Sequence, residues 1–233
     1  MYSNRMAATA ALAVAIGMGM AGGAAAQDPA QNPAQGQADT LRGKRAGDFL
    51  IGLSAIGVLP TNGGRVDLIG GTPTASNSAT GQLDFTYFFT DMVAVNLIAA
   101  TTRHEVSVRD SAIGNVSLGH VWALPPTLTV QFHPMPRQRF SPYLGLGVNF
   151  TAFYGEGGRP TAPVTNVKIE NSWGMAINFG TDVEIAPNWL ANFDVKKIFF
   201  LEPDVRVDTS IGRLNARADI NPWVIGAGIR YRF

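Results

Sequence analysis

The stretch NPWVIGAGIRYRF, residues 221–233, poses the question of the fold. Trp223, Ile225, Ala227, Ile229, Tyr231 and Phe233 fall at every second position, and Arg230 and Arg232 alternate with the last of them. Successive side chains of a strand point to opposite faces, so one face here is apolar to its final aromatic while the other carries two guanidinium groups. What has to be decided is which face looks inward.

The same division runs back along the chain. Eight segments show a period of two: 47–58, 81–90, 92–101, 126–133, 141–154, 173–185, 189–200 and 222–233. Each has about the ten residues that a tilted strand needs to cross a bilayer. One parity collects Leu83, Phe85, Tyr87 and Phe89, then Leu128, Val130 and Phe132, then Leu144, Leu146, Val148 and Phe150, and it is almost free of charge apart from Lys197. The opposite parity carries Asp84, Asn96, Gln131, Asn149, Asn178, Asp182, Glu184, Asn192, Asp194, Lys196, Arg230 and Arg232. A soluble barrel keeps its apolar face inside, and this many ionised groups have no place in a dry core. The apolar parity therefore faces lipid, and the fold expected is all-β, an eight-stranded antiparallel transmembrane β-barrel.

The connections agree. Segments two and three, four and five, and six and seven are joined by short turns, whereas the other four connections are long, polar and rich in Gly, Pro, Ser or Asn. Short periplasmic turns opposite long extracellular loops are the pattern of an outer-membrane barrel.

Composition sets the limits. Of 233 residues 46% are hydrophobic and 15% charged, against roughly a quarter charged in an average soluble domain. A net charge of +1 offers nothing to a nucleic acid, and the absence of cysteine excludes disulfides and thiolate metal sites. At the N-terminus Arg5, an apolar run rich in Ala and Gly, and Ala24-Ala25-Ala26 before Gln27 read as a cleaved secretory signal over 1–26. Residues 27–45, rich in Pro, Gln and Ala, read as a flexible periplasmic leader, which leaves 46–233 for the barrel.

Two groups of inward residues are candidates for function. Asp182, Glu184, Asp194, Lys196, Arg230 and Arg232 lie at depths where neighbouring strands carry opposite charges, as either a structural network filling the lumen or a polar plug gating it. Toward the long-loop end the inward parity turns apolar at Ile56, Ile98, Phe153, Ile198 and Val224. These line a pocket for an apolar ligand at the mouth of the lumen, or pack against folded-in loops together with Trp122. His104, His120 and His133 show no metal-ligand spacing, and no nucleophile with an orienting base stands out, so neither a cofactor, a metal nor an enzymatic reaction is expected. Gly145 and Gly147, and Gly226 and Gly228, lack the third glycine and helix of a dinucleotide fingerprint and read as small residues on the inner wall.

The segments AGDFLIGLSAIGVLPT, FTYFFTDMVAVNLIAATTRHEV, ALPPTLTVQFHP, PYLGLGVNFTAFY, SWGMAINFGTDVEI and NPWVIGAGIRYRF, in this order, resemble the W family of small outer-membrane proteins (OmpW) over nearly all of 46–233. The resemblance implies an outer-membrane barrel of a Gram-negative bacterium with a narrow apolar channel that admits small hydrophobic molecules and releases them sideways into lipid. It places Ile98 on the apolar inner wall, while Lys196 departs from it by putting a charge where an apolar or aromatic residue belongs. The closing strand, with Tyr231 and Phe233, resembles the signal read by the outer-membrane insertion machinery. The partners expected are outer-membrane lipid, that machinery and a small apolar ligand; the other reading is a closed barrel acting on a partner through its four long loops.

Overall fold

The computed structural model describes residues 42–67, 70–158, 160–162, 164–210 and 212–233; the expected signal peptide and leader residues 27–41 lie outside them. In chain order the strands are β1 (Phe49–Leu59), β2 (Gly64–Val66), β3 (Thr72–Ala75), β4 (Ser78–Phe88) and β5 (Val93–Ala100). There follow β6 (Thr102–Ser111), β7 (Gly114–Leu124), β8 (Thr127–Phe132), β9 (Phe140–Gly157) and β10 (Val164–Ile169). The last five are β11 (Ser172–Ala186), β12 (Trp189–Phe199), β13 (Asp204–Thr209), β14 (Gly212–Ala218) and β15 (Trp223–Arg232).

Eight of these, β1, β4, β5, β8, β9, β11, β12 and β15, are the eight segments of alternating sequence. They pair antiparallel in that order and close when β15 meets β1, with Leu53 opposite Ile229 and Leu59 opposite Trp223. Closure requires a stagger. Followed once around the wall from Ser78 through Val58, Val224, Lys196, Asn178, Gly145, Gln131 and Ala94, the register returns to β4 at Phe88, ten residues from where it began. For eight strands that stagger corresponds to a tilt of roughly 40°.

Alternation sorts the side chains as lipid demands. Leu144 is 57% and Phe179 59% exposed on the outer wall, whereas Arg230 and Arg232, in the inward positions of β15, are 1% and 0% exposed. The narrow interior needs glycine where a large side chain crosses it. A Cβ on Gly52 would come within 2.8 Å of the Arg230 side chain, and one on Gly180 would run into the Tyr143 ring.

The long connections are not irregular. β6 and β7 form a hairpin that continues the wall beyond β5 and β8, with β3 on its outer edge and the upper part of β9 beside β7. β10, β13, β14 and β2 make a second, four-stranded sheet. Val108, Val116, Leu118 and Val121 from the first sheet pack with Val66, Ile169, Val205 and Val207 from the second. The barrel thus carries a folded collar. At the opposite end the connections are tight: Thr90 Oγ1 accepts from the amides of Met92 and Val93, and Asn188 takes a left-handed φ of 64° between β11 and β12.

The chain ahead of β1 is not free over residues 42–45, which composition assigns to the leader. The Arg42 and Gly43 amides reach the Glu184 carboxylate, and Lys44 is buried in the lumen.

Candidate functional site

The lumen has two parts. In the half nearer the short turns every buried charge is matched, as it must be where solvation is lost. Asp182 on β11 accepts from Lys44 Nζ at 2.6 Å, Arg230 Nη1 at 3.0 Å and Asn192 Nδ2 at 2.8 Å. Arg230 turns its other terminal nitrogen to Asp84, 2.8 Å away, and Asp84 also accepts from Asn96 and Thr86. Arg232 bonds Glu184 at 3.0 Å and the Gly43 carbonyl at 2.8 Å. Asp194 accepts from the Tyr143 hydroxyl at 2.8 Å, from Asn178 Nδ2 at 2.9 Å and from Lys196. The guanidinium of Arg230 lies 5.6 Å from the centre of the Tyr143 ring, a cation over an aromatic face.

Of the six charged residues singled out from the sequence, Asp182, Asp194, Lys196 and Arg230 sit in one connected system, joined through Asn192 and the Tyr143 hydroxyl. Arg232 and Glu184 form a pair tied to the backbone of Arg42 and Gly43. The partners differ from those that strand adjacency implies. Lys196 pairs with Asp194 of its own strand, two positions away. Arg230 is shared between Asp84 and Asp182, which stand on different sides of it. Three further members, Asp84, Tyr143 and Lys44, were not among those six. Tyr143 and Asp84 have the inward parity and were legible by that rule; Lys44 lies outside any periodic segment and carries no local signal.

Toward the collar the lining changes. Ile56, Ile98, Phe153, Ile198 and Val224 all line a single cavity that runs from membrane depth up between the two collar sheets. Ile56 and Val224 pack with Val58 and Ala100, while Ile198 packs with Ala176 and Leu201. The collar residues Val108, Val121, Val205 and Val207 continue the apolar surface upward. Polar residues also line it, Gln82, Thr127, Thr151 and Lys196 at the base and Asn62, Thr74, Thr102, His104 and Asp219 in the collar. Thr127 and Thr151 are tied to Asn149, but the buried Gln82 Oε1 has no hydrogen-bond partner.

His104 is set into the collar wall. It donates from Nδ1 to the Ser76 carbonyl at 2.6 Å and accepts at Nε2 from the Thr102 hydroxyl at 2.9 Å. Burial lowers its pKa below the ordinary imidazole value, against a smaller upward pull from the Ser76 carbonyl.

On the outer wall Tyr231 stacks edge-on with Trp189, their ring centres 5.0 Å apart, and with Phe233 at 4.8 Å. Phe233 also meets Phe49 at 6.4 Å and gives its amide to the Phe49 carbonyl, so the end of β15 is tied to the start of β1. Lys197, the one charge on the apolar parity, rests on Trp223 at 5.1 Å and bonds Thr61 Oγ1 at the rim.

A closed eight-stranded barrel, apolar outside where lipid touches it and polar within, is a transmembrane barrel of the bacterial outer membrane. The chain belongs to the OmpW family, whose sequence pattern matches residues 45–233. It is 38% identical over 185 residues to an uncharacterized outer-membrane protein of Sinorhizobium fredii, an alignment covering 78% of this chain and 79% of the other. It is 32% identical over 197 residues to Outer membrane protein W of Escherichia coli, covering 81% and 89%. The crystal structure of the outer-membrane protein OprG from Pseudomonas aeruginosa superposes with a TM-score of 0.74 at 28% identity, over 82% of this chain and 98% of that one. The short turns are accordingly periplasmic and the collar extracellular.

Proposed function

We propose that the barrel is a passive conduit for small apolar molecules, which enter through the collar and collect in the upper lumen. One observation carries the reading: the apolar lining is continuous from the collar sheets down to Ile56, Ile98 and Ile198 at membrane depth. A surface that excluded only water would not need to extend from the extracellular space into the membrane. Below it the charge network offers an apolar molecule no favourable onward path, which supports sideways release into lipid over passage to the periplasm. Ile56, Ile98, Phe153, Ile198 and Val224 would form the receiving surface, the ionic lower half would act as its floor, and Tyr231 and Phe233 would serve the insertion machinery.

The test is uptake of phenylnaphthylamine by liposomes holding the purified protein. Replacing Ile98 and Phe153 together by Asn lowers the rate several-fold while the folded fraction is kept. Uptake equal to that of the unaltered protein would exclude the conduit.

A further inference from the structure

Three lumen cations keep unused donors, Arg230 and Arg232 at Nε and Lys196 at its ammonium, but of the three only Lys196 lines the apolar cavity. An ammonium has three N–H groups. Lys44 spends its three on His133, Ser141 and Asp182. Lys196, 1% exposed, has a single partner in Asp194, and that carboxylate is otherwise engaged by Tyr143 and Asn178 through its second oxygen. Two ammonium donors are therefore left at the base of the apolar cavity that Lys196 lines.

Gln82 stands at the same height. The register runs from Lys196 to Val224, Val58 and Ser78, and the barrel's stagger of ten residues over eight strands lowers that level by about four positions on β4, to Gln82. Gln82 is 4% exposed, lines the same cavity and makes no side-chain hydrogen bond, so that its Nε2 is a free donor there. An ammonium with spare donors and an unengaged amide, under a chamber of aliphatic side chains, are the complement of an amphiphile.

We propose that this base is a headgroup site, and that the preferred ligands are carboxylates with an apolar body, such as acyl or aromatic acids, which enter with the carboxylate leading. The inference rests on the conduit reading and narrows it. A carboxylate accepts from the two spare N–H groups of Lys196 and from the Gln82 amide, while its hydrocarbon lies against Ile56, Ile98 and Ile198. Hydrogen bonds with ionised partners are about twice as strong as neutral ones, so an alcohol of equal chain length gains less from the same groups.

The experiment is equilibrium binding of radiolabelled octanoate and octanol to the full chain in lipid nanodiscs, with empty discs subtracted. Octanoate binds about tenfold more tightly than octanol, the ratio given by roughly one charge-assisted hydrogen bond. Gln82→Leu, which leaves the Lys196 and Asp194 pair whole, cuts octanoate binding about threefold and spares octanol. Lys196→Met brings the two ligands level; if that variant does not fold, the Gln82→Leu result decides alone. Octanol bound as well as octanoate, or an unchanged ratio in Gln82→Leu, overturns the headgroup site and leaves the conduit standing. Failure of both ligands to bind removes the conduit with it.

Discussion

Strand β9 runs through two solvents, and the polar and apolar characters of its two faces exchange accordingly. Along its lower part Leu144, Leu146 and Val148 face out and are about half exposed, while Tyr143 and Asn149 are buried within. Higher up, Phe153 points to the cavity and Glu156 is on the outside. The collar strands repeat the upper scheme: Val205 and Val207 lie inside β13, with Asp204 and Arg206 outside. In the membrane a barrel is polar inside and apolar outside; in the collar it is the reverse. The inner surface changes character lower down than the outer one does. Inside, the boundary is the level of Lys196 and Gln82; outside, it is the belt of Trp122, Tyr154, Trp173 and Trp223 nearer the collar. Between the two levels much of the wall is apolar on both faces, with Ser78 and Thr80 of β4 and Thr151 of β9 as polar exceptions within.

The comparison makes the two halves unequal in what holds them. In the lower half a single lost charge leaves another buried without its ion-pair partner. Arg230→Met takes from Asp84 its one ion-pair partner and leaves Asp182 to Lys44 alone, and the expected loss is about 3–5 kcal/mol, read as a lowered urea midpoint for the barrel in lipid vesicles. A change under about 1 kcal/mol would mean that water reaches the network and the lower lumen is not sealed.

The collar has a smaller and pH-dependent weakness in His104. Its pKa is depressed by burial, so the unfolded chain binds more protons as pH falls through the ordinary value of about 6.5. The contribution of His104 is whole above about pH 7 and is lost below it, at no more than about 1.4 kcal/mol per pH unit. Amide hydrogen exchange, corrected for the intrinsic effect of pH, should show β3, β6 and β7 loosening at about pH 5 while β1 and β15 keep their protection. Equal protection at both pH values would show that His104 stays neutral or finds a new acceptor. The smallest effect belongs to the outer surface of the collar, where Arg213 pairs with Asp208 in full contact with water. Arg213→Ala should leave the unfolding midpoint unchanged within error, and a clear drop would mean that the ion pairs of this sheet act as a network.

Alternation alone was enough for the membrane part. Each barrel strand is visible because one parity is apolar over about ten residues, and Asp84, Asp182 and Arg230 could be assigned to the lumen by counting in twos. The collar strands were as regular but wore the opposite pattern. In β6 Val106 and Val108 alternate with Arg103, Glu105 and Arg109, which reads as a polar loop when the search is for a face without charge. Which cation meets which carboxylate was beyond the sequence, because Arg230 reaches across strands and Lys196 does not. Gln82 was within reach by parity, yet its meaning depends on the stagger, and that follows only from the closed register.

Lys44 stands just ahead of β1, at the seam where the first and last strands meet, yet its ammonium is held by His133, Ser141 and Asp182 on the opposite wall. It is a spoke laid across the periplasmic opening. Its contacts bridge 89 to 138 positions of chain, and they need the sheet curled far enough to set the start of β1 across from β9 and β11. The spoke is therefore a contact of the curled barrel, and a flat sheet of the same strands lacks it.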